Sequence, residues 1–111
     1  MDAYKKKLCH FDFSVNTGGD FPIFGDFDKY YTAVLTFEWD SLSAADGAIG
    51  FLERPNNTTT WKEVLSYTMV DATGSQSLQH GDYGENKIGY RITKGSVVSG
   101  TLTVYITAKA D

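Results

Sequence analysis

The chain has few of the residues that build disulfides, metal sites and catalytic dyads. Its 111 residues include one cysteine, Cys9, and two histidines, His10 and His80. A single cysteine excludes an intrachain disulfide, and transition-metal sites need clusters of histidine and cysteine. A nucleophile that works with a base needs a histidine close to both a Ser, Cys or Thr and an acid. We therefore expect no enzyme activity, no cofactor and no transition-metal site.

The chain also lacks long apolar runs and an excess of positive charge. No segment is long enough to cross a membrane, and Met1–Tyr4 carry no apolar core of a secretion signal. The formal net charge is −4 and the pI is about 5.0, whereas nucleic-acid binding favours a basic surface. These features argue against membrane and nucleic-acid partners, and they predict synthesis in the cytoplasm.

What the chain does contain is short segments in which apolar and polar residues alternate. In the segment 99–108 the apolar set is Leu102, Val104, Ile106 and Ala108, and the residues between them are Thr103, Tyr105 and Thr107. A period of two is typical of a half-buried β-strand. The same alternation predicts strands over 9–15, 31–39 and 88–93.

Turn residues separate about seven or eight such segments, and no window carries an apolar stripe of helical period. The pattern predicts an all-β fold, a single antiparallel β-sandwich of jelly-roll or immunoglobulin-like type over residues 1–111. Cys9 is expected to be a core thiol, and His80 a solvated histidine in the loop 80–85. The other predicted core residues are Phe11, Phe13, Leu35, Phe37, Trp39, Ile88, Tyr90, Ile92, Leu102, Val104 and Ile106.

Aromatic residues crowd the first long connection, which the sequence places at 21–29. Three interpretations are open for it: a plug at the end of the sandwich, an exposed patch that docks on another subunit, or a platform that stacks on sugars. Large exposed apolar patches usually mark interfaces. The alternation also turns Tyr105 outward. The interface candidates are therefore Phe21, Phe24, Phe27, Tyr30 and Tyr105.

Calcium needs separate consideration because it binds oxygen ligands. Asp20, Asp26 and Asp28 lie close together in the sequence. Their spacing does not match an EF-hand loop, and aspartates are also common in turns. We predict no metal site, and these carboxylates are the residues at which calcium would have to bind.

The second half of the chain carries an order of motifs found in a known group of proteins. Trp61 stands near a strand start, followed by a turn at 71–75 (Asp-Ala-Thr-Gly-Ser), a strand at 87–92 (Lys-Ile-Gly-Tyr-Arg-Ile) and the sequence Ser-Gly-Thr-Leu at 99–102. This order resembles small β-sandwich virion proteins of tailed bacteriophages, including the crAss-like phages of gut Bacteroidetes. The resemblance implies a non-enzymatic part of the virion, either a capsid decoration protein or a head, neck or tail accessory protein. It also implies that the chain binds coat or other virion subunits and forms a homo-oligomer.

A carbohydrate-binding or adhesive β-sandwich is the alternative hypothesis. In that case Trp61 or Tyr105 stacks on sugar rings, and nearby aspartate and asparagine groups hydrogen-bond to them. A glycan is then the partner instead of a virion subunit.

Overall fold

A computed structural model of the chain describes residues 3–23, 32–55 and 57–109. No helix in these ranges is long and apolar enough to span a membrane. The regular structure in them consists of the strands β1 (Ala3–Asp12), β2 (Gly18–Pro22), β3 (Thr32–Asp40), β4 (Gly47–Arg54), β5 (Lys62–Met69), β6 (Gly74–Gly81), β7 (Lys87–Thr93) and β8 (Thr101–Lys109).

These strands form two four-stranded antiparallel sheets. The first sheet has the order β1-β8-β3-β6 and the second has the order β2-β7-β4-β5. The pairs β1/β8, β2/β7, β3/β6 and β4/β5 are nested, as they are when one long antiparallel ribbon rolls up into two facing sheets. The predicted β-sandwich is confirmed, and this strand order is that of a jelly roll.

The alternation along β8 places one set of side chains between the sheets. Strand β8 lies between β1 and β3, with Val104 opposite Phe37 and Ile106 opposite Leu35. These residues are fully buried, whereas the Thr and Tyr residues between them stay half-buried on the outer face. One face of the first sheet therefore packs in the core, and the other faces outward.

The core contains every aliphatic and aromatic residue that the alternation predicted for it. Its largest fully buried side chains include Phe13, Phe37 and Phe51. Burial of each such side chain stabilises the fold by about 1.5–3 kcal/mol, so the core is the main source of stability. Cys9 is half-buried and packs against this cluster instead of lying within it.

Polar contacts that involve the loops close one end of the sandwich. The Trp39 indole N–H donates to the Asp71 carbonyl at 2.9 Å. The Asp46 carboxylate, in the loop before β4, accepts hydrogen bonds from the Ser96 hydroxyl at 2.7 Å and from the Ser96 amide at 2.9 Å. These hydrogen bonds lower the pKa of Asp46, because they stabilise the ionised carboxylate. The loop before β4 is thereby tied to the loop before β8.

The structure differs from the sequence prediction in three elements. Strand β1 begins at Ala3 and not at Cys9, because a bulge between Lys7 and Cys9 lets the pairing with β8 continue past the lysines. Phe21 lies in β2 and not in a connection. Glycine at position 18 permits the close pairing of β2 with β7, because any Cβ at this position would clash with the Ile92 carbonyl oxygen of the paired strand. His80 lies in β6 and not in a loop.

Candidate functional site

Phe21 is the only residue of the aromatic group at 21–30 whose position the structure describes. It lies opposite Tyr90 in the β2/β7 pair. The two rings stack with centroids 5.3 Å apart. The Phe11 and Phe21 rings lie edge to face, with centroids 6.5 Å apart. Phe21 thus packs on the core from the edge of the second sheet. Phe24, Phe27 and Tyr30 lie outside the described residues, so their role as interface residues stays a prediction.

The stacked rings line a groove between the edges of β1 and β2. Its volume is about 320 Å³, and its wall comprises Cys9, His10, Phe11, Asn16, Thr17, Gly18, Phe21 and Tyr90. Burial raises the pKa of the Cys9 thiol and also raises the pKa of the Tyr90 phenol, and the two groups hydrogen-bond to each other. The groove therefore holds a protonated thiol beside a protonated phenol, which makes Cys9 a poor nucleophile.

We expect Cys9 to react with a disulfide reagent at least about tenfold more slowly than an exposed cysteine, because its thiolate is disfavoured. The rate can be followed by the absorbance of the released thiol. The comparison is the double variant Cys9→Ser with Val15→Cys, since Val15 is 76% exposed. Equal rates in the two folded proteins would contradict the prediction, and unfolding in urea should make the rates equal.

Asp20 lies on the outer face of the second sheet, paired with Arg91. Its carboxylate oxygens are 2.6 Å and 3.0 Å from the Nε and one terminal nitrogen of Arg91, and the other terminal nitrogen of Arg91 is 3.5 Å from Glu63. The hydrogen bonds from Arg91 lower the pKa of Asp20. A guanidinium already occupies the position a cation would take. Within 3–23, 32–55 and 57–109 no acidic, histidine or cysteine cluster is suited to a metal, and Asp26 and Asp28 lie outside these ranges.

Trp61 also lies on the outer face of the second sheet. The Arg54 guanidinium is 4.8 Å from the centre of its ring. The far edge of the ring covers Gly89, where an added Cβ would lie 3.1 Å from it. A sugar that stacked on the face covered by Arg54 would have to displace that side chain, at a cost set by the cation–π contact.

Tyr105 lies near the middle of the outer face of the first sheet. It is opposite Lys7 on β1 and Thr36 on β3. With Thr36, Glu38 and Thr107 it lines a shallow depression of about 240 Å³. We call the surface formed by Thr36, Ser77, Thr103, Tyr105 and Thr107 the hydroxyl face.

Hydrogen bonds between side chains order the hydroxyl face. The Thr36 and Ser77 hydroxyls are 3.0 Å apart across β3 and β6. The Thr103 hydroxyl is 2.9 Å from His10 Nδ1 across β8 and β1. Cross-strand pairs of this kind fix the rotamers of short side chains. The hydroxyl face is therefore a preorganised polar surface around a tyrosine ring.

The sequence prediction did not identify a polar cluster between the sheets, at the end opposite Trp39. His80 Nε2 is 2.5 Å from Glu53 Oε1, and the Asn86 side-chain amide donates to the other carboxylate oxygen. The Phe51 and His80 rings pack in an edge-to-face arrangement, with their centroids 5.3 Å apart. The sequence signal that could have found it is alternation along β6, because His80 lies two residues after the buried Leu78 and so points to the same inner face. His80 lies on β6 of the first sheet and Glu53 on β4 of the second, so their contact bridges the two sheets.

The described aromatic candidates lie on separate surfaces. Phe21 is in the groove beside β1, Trp61 is on the second sheet, and Tyr105 is on the hydroxyl face of the first. The hydroxyl face combines a shallow depression, a central ring and ordered polar groups, so we take it as the candidate site. A search with protein-family models finds no family that matches this chain, and no curated protein matches its sequence.

Proposed function

We propose that the chain is a non-enzymatic structural module of a tailed-phage virion, and that it binds coat or other virion subunits through the hydroxyl face. The module would serve as a capsid decoration protein or as a head, neck or tail accessory protein. Two features support this proposal. The order of motifs in the second half resembles small virion proteins, and the jelly roll is an architecture used by viral capsid domains.

The observation that carries the proposal is the position of Tyr105. Aromatic residues, tyrosine among them, are enriched at protein interfaces. Tyr105 is half-buried and is flanked on its own strand by Thr103 and Thr107, so a partner that docks on the hydroxyl face meets the exposed part of this side chain beside short polar residues. A rigid sheet loses little conformational entropy when it docks, which favours binding through this face.

Mass spectrometry of purified particles tests the assignment directly. We expect the chain to co-purify with the particles of the phage whose genome encodes it, at a fixed ratio to the coat protein. Its absence from such particles, or a copy number that varies between preparations, would overturn the proposal.

We expect Tyr105→Thr to weaken binding to purified particles by about tenfold or more, as loss of a central tyrosine does in other interfaces. Threonine keeps the β-propensity of the strand and matches its neighbours on the hydroxyl face. The matched control is Lys62→Thr, at an exposed position on the second sheet. Co-sedimentation with particles gives both affinities. Equal binding by the two variants would place the interface elsewhere.

The depression beside Tyr105 also supports the second candidate, a glycan-binding module. Thr36, Glu38 and Thr107 supply hydroxyl and carboxylate oxygens within reach of an aromatic ring, a combination that suits a sugar. A glycan array separates the two functions. Binding to a host polysaccharide that Tyr105→Thr abolishes would favour the glycan-binding module over the virion module.

A further inference from the structure

In the part of the chain that the structure describes, each sheet ends in strands that pair on one side only, and such edges are open to pairing with another chain. In the first sheet the edge strands are β1 and β6, and in the second sheet they are β2 and β5. Soluble proteins usually protect these edges with lysines, prolines, bulges or very short strands. The four strands can therefore be compared by the protection that each one carries.

Three of these edges carry recognisable protection. Strand β1 contains the run Lys5–Lys7 and a bulge directly after it. Strand β2 has only five residues and contains Pro22. Strand β5 begins with Lys62 and Glu63, and a register shift interrupts its pairing with β4. Each device disfavours the regular addition of another strand.

Strand β6 has none of these devices. Its eight residues read Gly-Ser-Gln-Ser-Leu-Gln-His-Gly, without lysine, arginine, an acidic residue or proline. It pairs with β3 from Gly74 to Gly81 without a register shift, so its backbone is regular along its whole length. Within 3–23, 32–55 and 57–109, no strand pairs with its other side.

We propose that β6 is the dimer interface of this protein, and that it pairs antiparallel with β6 of a second copy about a two-fold axis. The two first sheets then form one continuous sheet. The inference is independent of the proposed function, since it requires only a second copy of the chain.

The composition of β6 supports a second copy as its partner. Antiparallel pairing of β6 with itself brings together serine, glutamine, leucine and histidine side chains, so no fixed like charges oppose each other. The same arrangement at β1 would place Lys5–Lys7 of two copies on one edge. Because the other edges are protected, two-fold pairing of β6 gives a closed dimer and not an open fibre.

Analytical ultracentrifugation over a roughly hundredfold range of concentration tests the dimer, because its population follows mass action. A reductant is included so that Cys9 cannot link two chains. We expect the mass to rise with concentration to twice the 12.3 kDa of one chain. A wild-type protein that stays monomeric throughout this range overturns the proposal.

The variant Ser77→Lys places a lysine of each copy on the outer face of the first sheet, beside the proposed β6–β6 contact. It should raise the dissociation constant of the dimer by about tenfold or more. The matched control is Ser66→Lys, the same substitution at an exposed position on the edge strand β5. Ser66→Lys should dimerise like the wild type. Equal dissociation in both variants overturns the assignment to β6. If Ser77→Lys is misfolded by circular dichroism, Gln79→Lys takes its place, at another exposed position on β6.

Hydrogen exchange distinguishes pairing between two copies from the fold of one copy, because only the pairing depends on protein concentration. The amides of β6 that point away from β3 should exchange more slowly as the protein concentration rises. The amides of β5 should exchange at a constant rate. If the β6 amides are already protected in a monomeric chain, the edge is covered within one copy and the proposal is overturned.

Discussion

Phe51→Ala is expected to lower the free energy of unfolding by about 3–5 kcal/mol. Phe51 is fully buried on the inner face of β4, opposite Tyr90 of β7 and Leu65 of β5. Its ring also packs against His80, which connects the two sheets through Glu53. The substitution loses the transfer free energy of the ring and leaves a cavity between the sheets. Urea denaturation monitored by tryptophan fluorescence measures the change.

The control for Phe51→Ala is a substitution at an exposed apolar position. Val70→Ala should change the free energy of unfolding by less than about 0.5 kcal/mol, because Val70 is 58% exposed. In both variants the free energy of unfolding should fall with urea concentration at the same slope as in the wild type, if the unfolded state is unchanged. A loss below about 1 kcal/mol for Phe51→Ala would contradict the burial of this ring.

Gly89→Ala is expected to lower the free energy of unfolding by about 2 kcal/mol through overpacking. A Cβ at this position would lie 2.6 Å from the Phe21 carbonyl oxygen and 3.1 Å from the Trp61 ring. The carbonyl belongs to the backbone of the paired strand β2, so β2 has to move away from β7. The shift would disturb the stacking of Phe21 on Tyr90, and Cys9 in the same groove should then react faster with a thiol reagent.

Gly50→Ala is the matched control for Gly89→Ala, because Gly50 faces the same side of the second sheet. A Cβ there meets the end of the Glu63 side chain, which is flexible and can rotate away. We expect a loss of less than about 1 kcal/mol, arising from the weakened Glu63–Arg91 contact. Equal losses for the two glycines would show that backbone crowding at Gly89 is not the cause.

The proposed dimer and the proposed binding face would reinforce each other. Strand β6 contributes Ser77 to the hydroxyl face, so pairing of two copies through β6 would join two hydroxyl faces on one sheet. Each dimer would then present two copies of Tyr105 to a repetitive surface such as a coat lattice. Two linked contacts bind more tightly than one, because the second forms at a high effective concentration. Gln79→Lys, at an exposed position on β6 outside the hydroxyl face, should therefore also weaken particle binding while leaving Tyr105 and Ser77 in place.

Much of the core was predictable because alternation identifies the buried face of a strand. The residues predicted in β3, β7 and β8, such as Phe37, Ile92 and Val104, are all buried. The same signal was weak where strands are short or charged. Strand β2 has five residues and starts with two glycines, and β1 passes through lysines next to a bulge. In both cases the pairing with a neighbouring strand overrides the local preference of the sequence.

The candidate site was less predictable than the core. The outward position of Tyr105 followed from alternation and is confirmed by the burial pattern of β8. The packing of Phe21 on Tyr90 and the pairing of Glu53 with His80 each join residues that are far apart in the sequence. No local pattern encodes such a contact, since it depends on which strands become neighbours.

The sequence by itself determined the fold class, the inner face of the main strands and the scarcity of cysteine and histidine. These properties follow from side-chain chemistry and from the period of two along a strand. Only the tertiary structure decided the jelly-roll order and the separation of Phe21, Trp61 and Tyr105 onto different surfaces. The physical reason is that alternation specifies the side of a sheet on which a residue lies, whereas strand order arises from long-range pairing and packing of the whole chain.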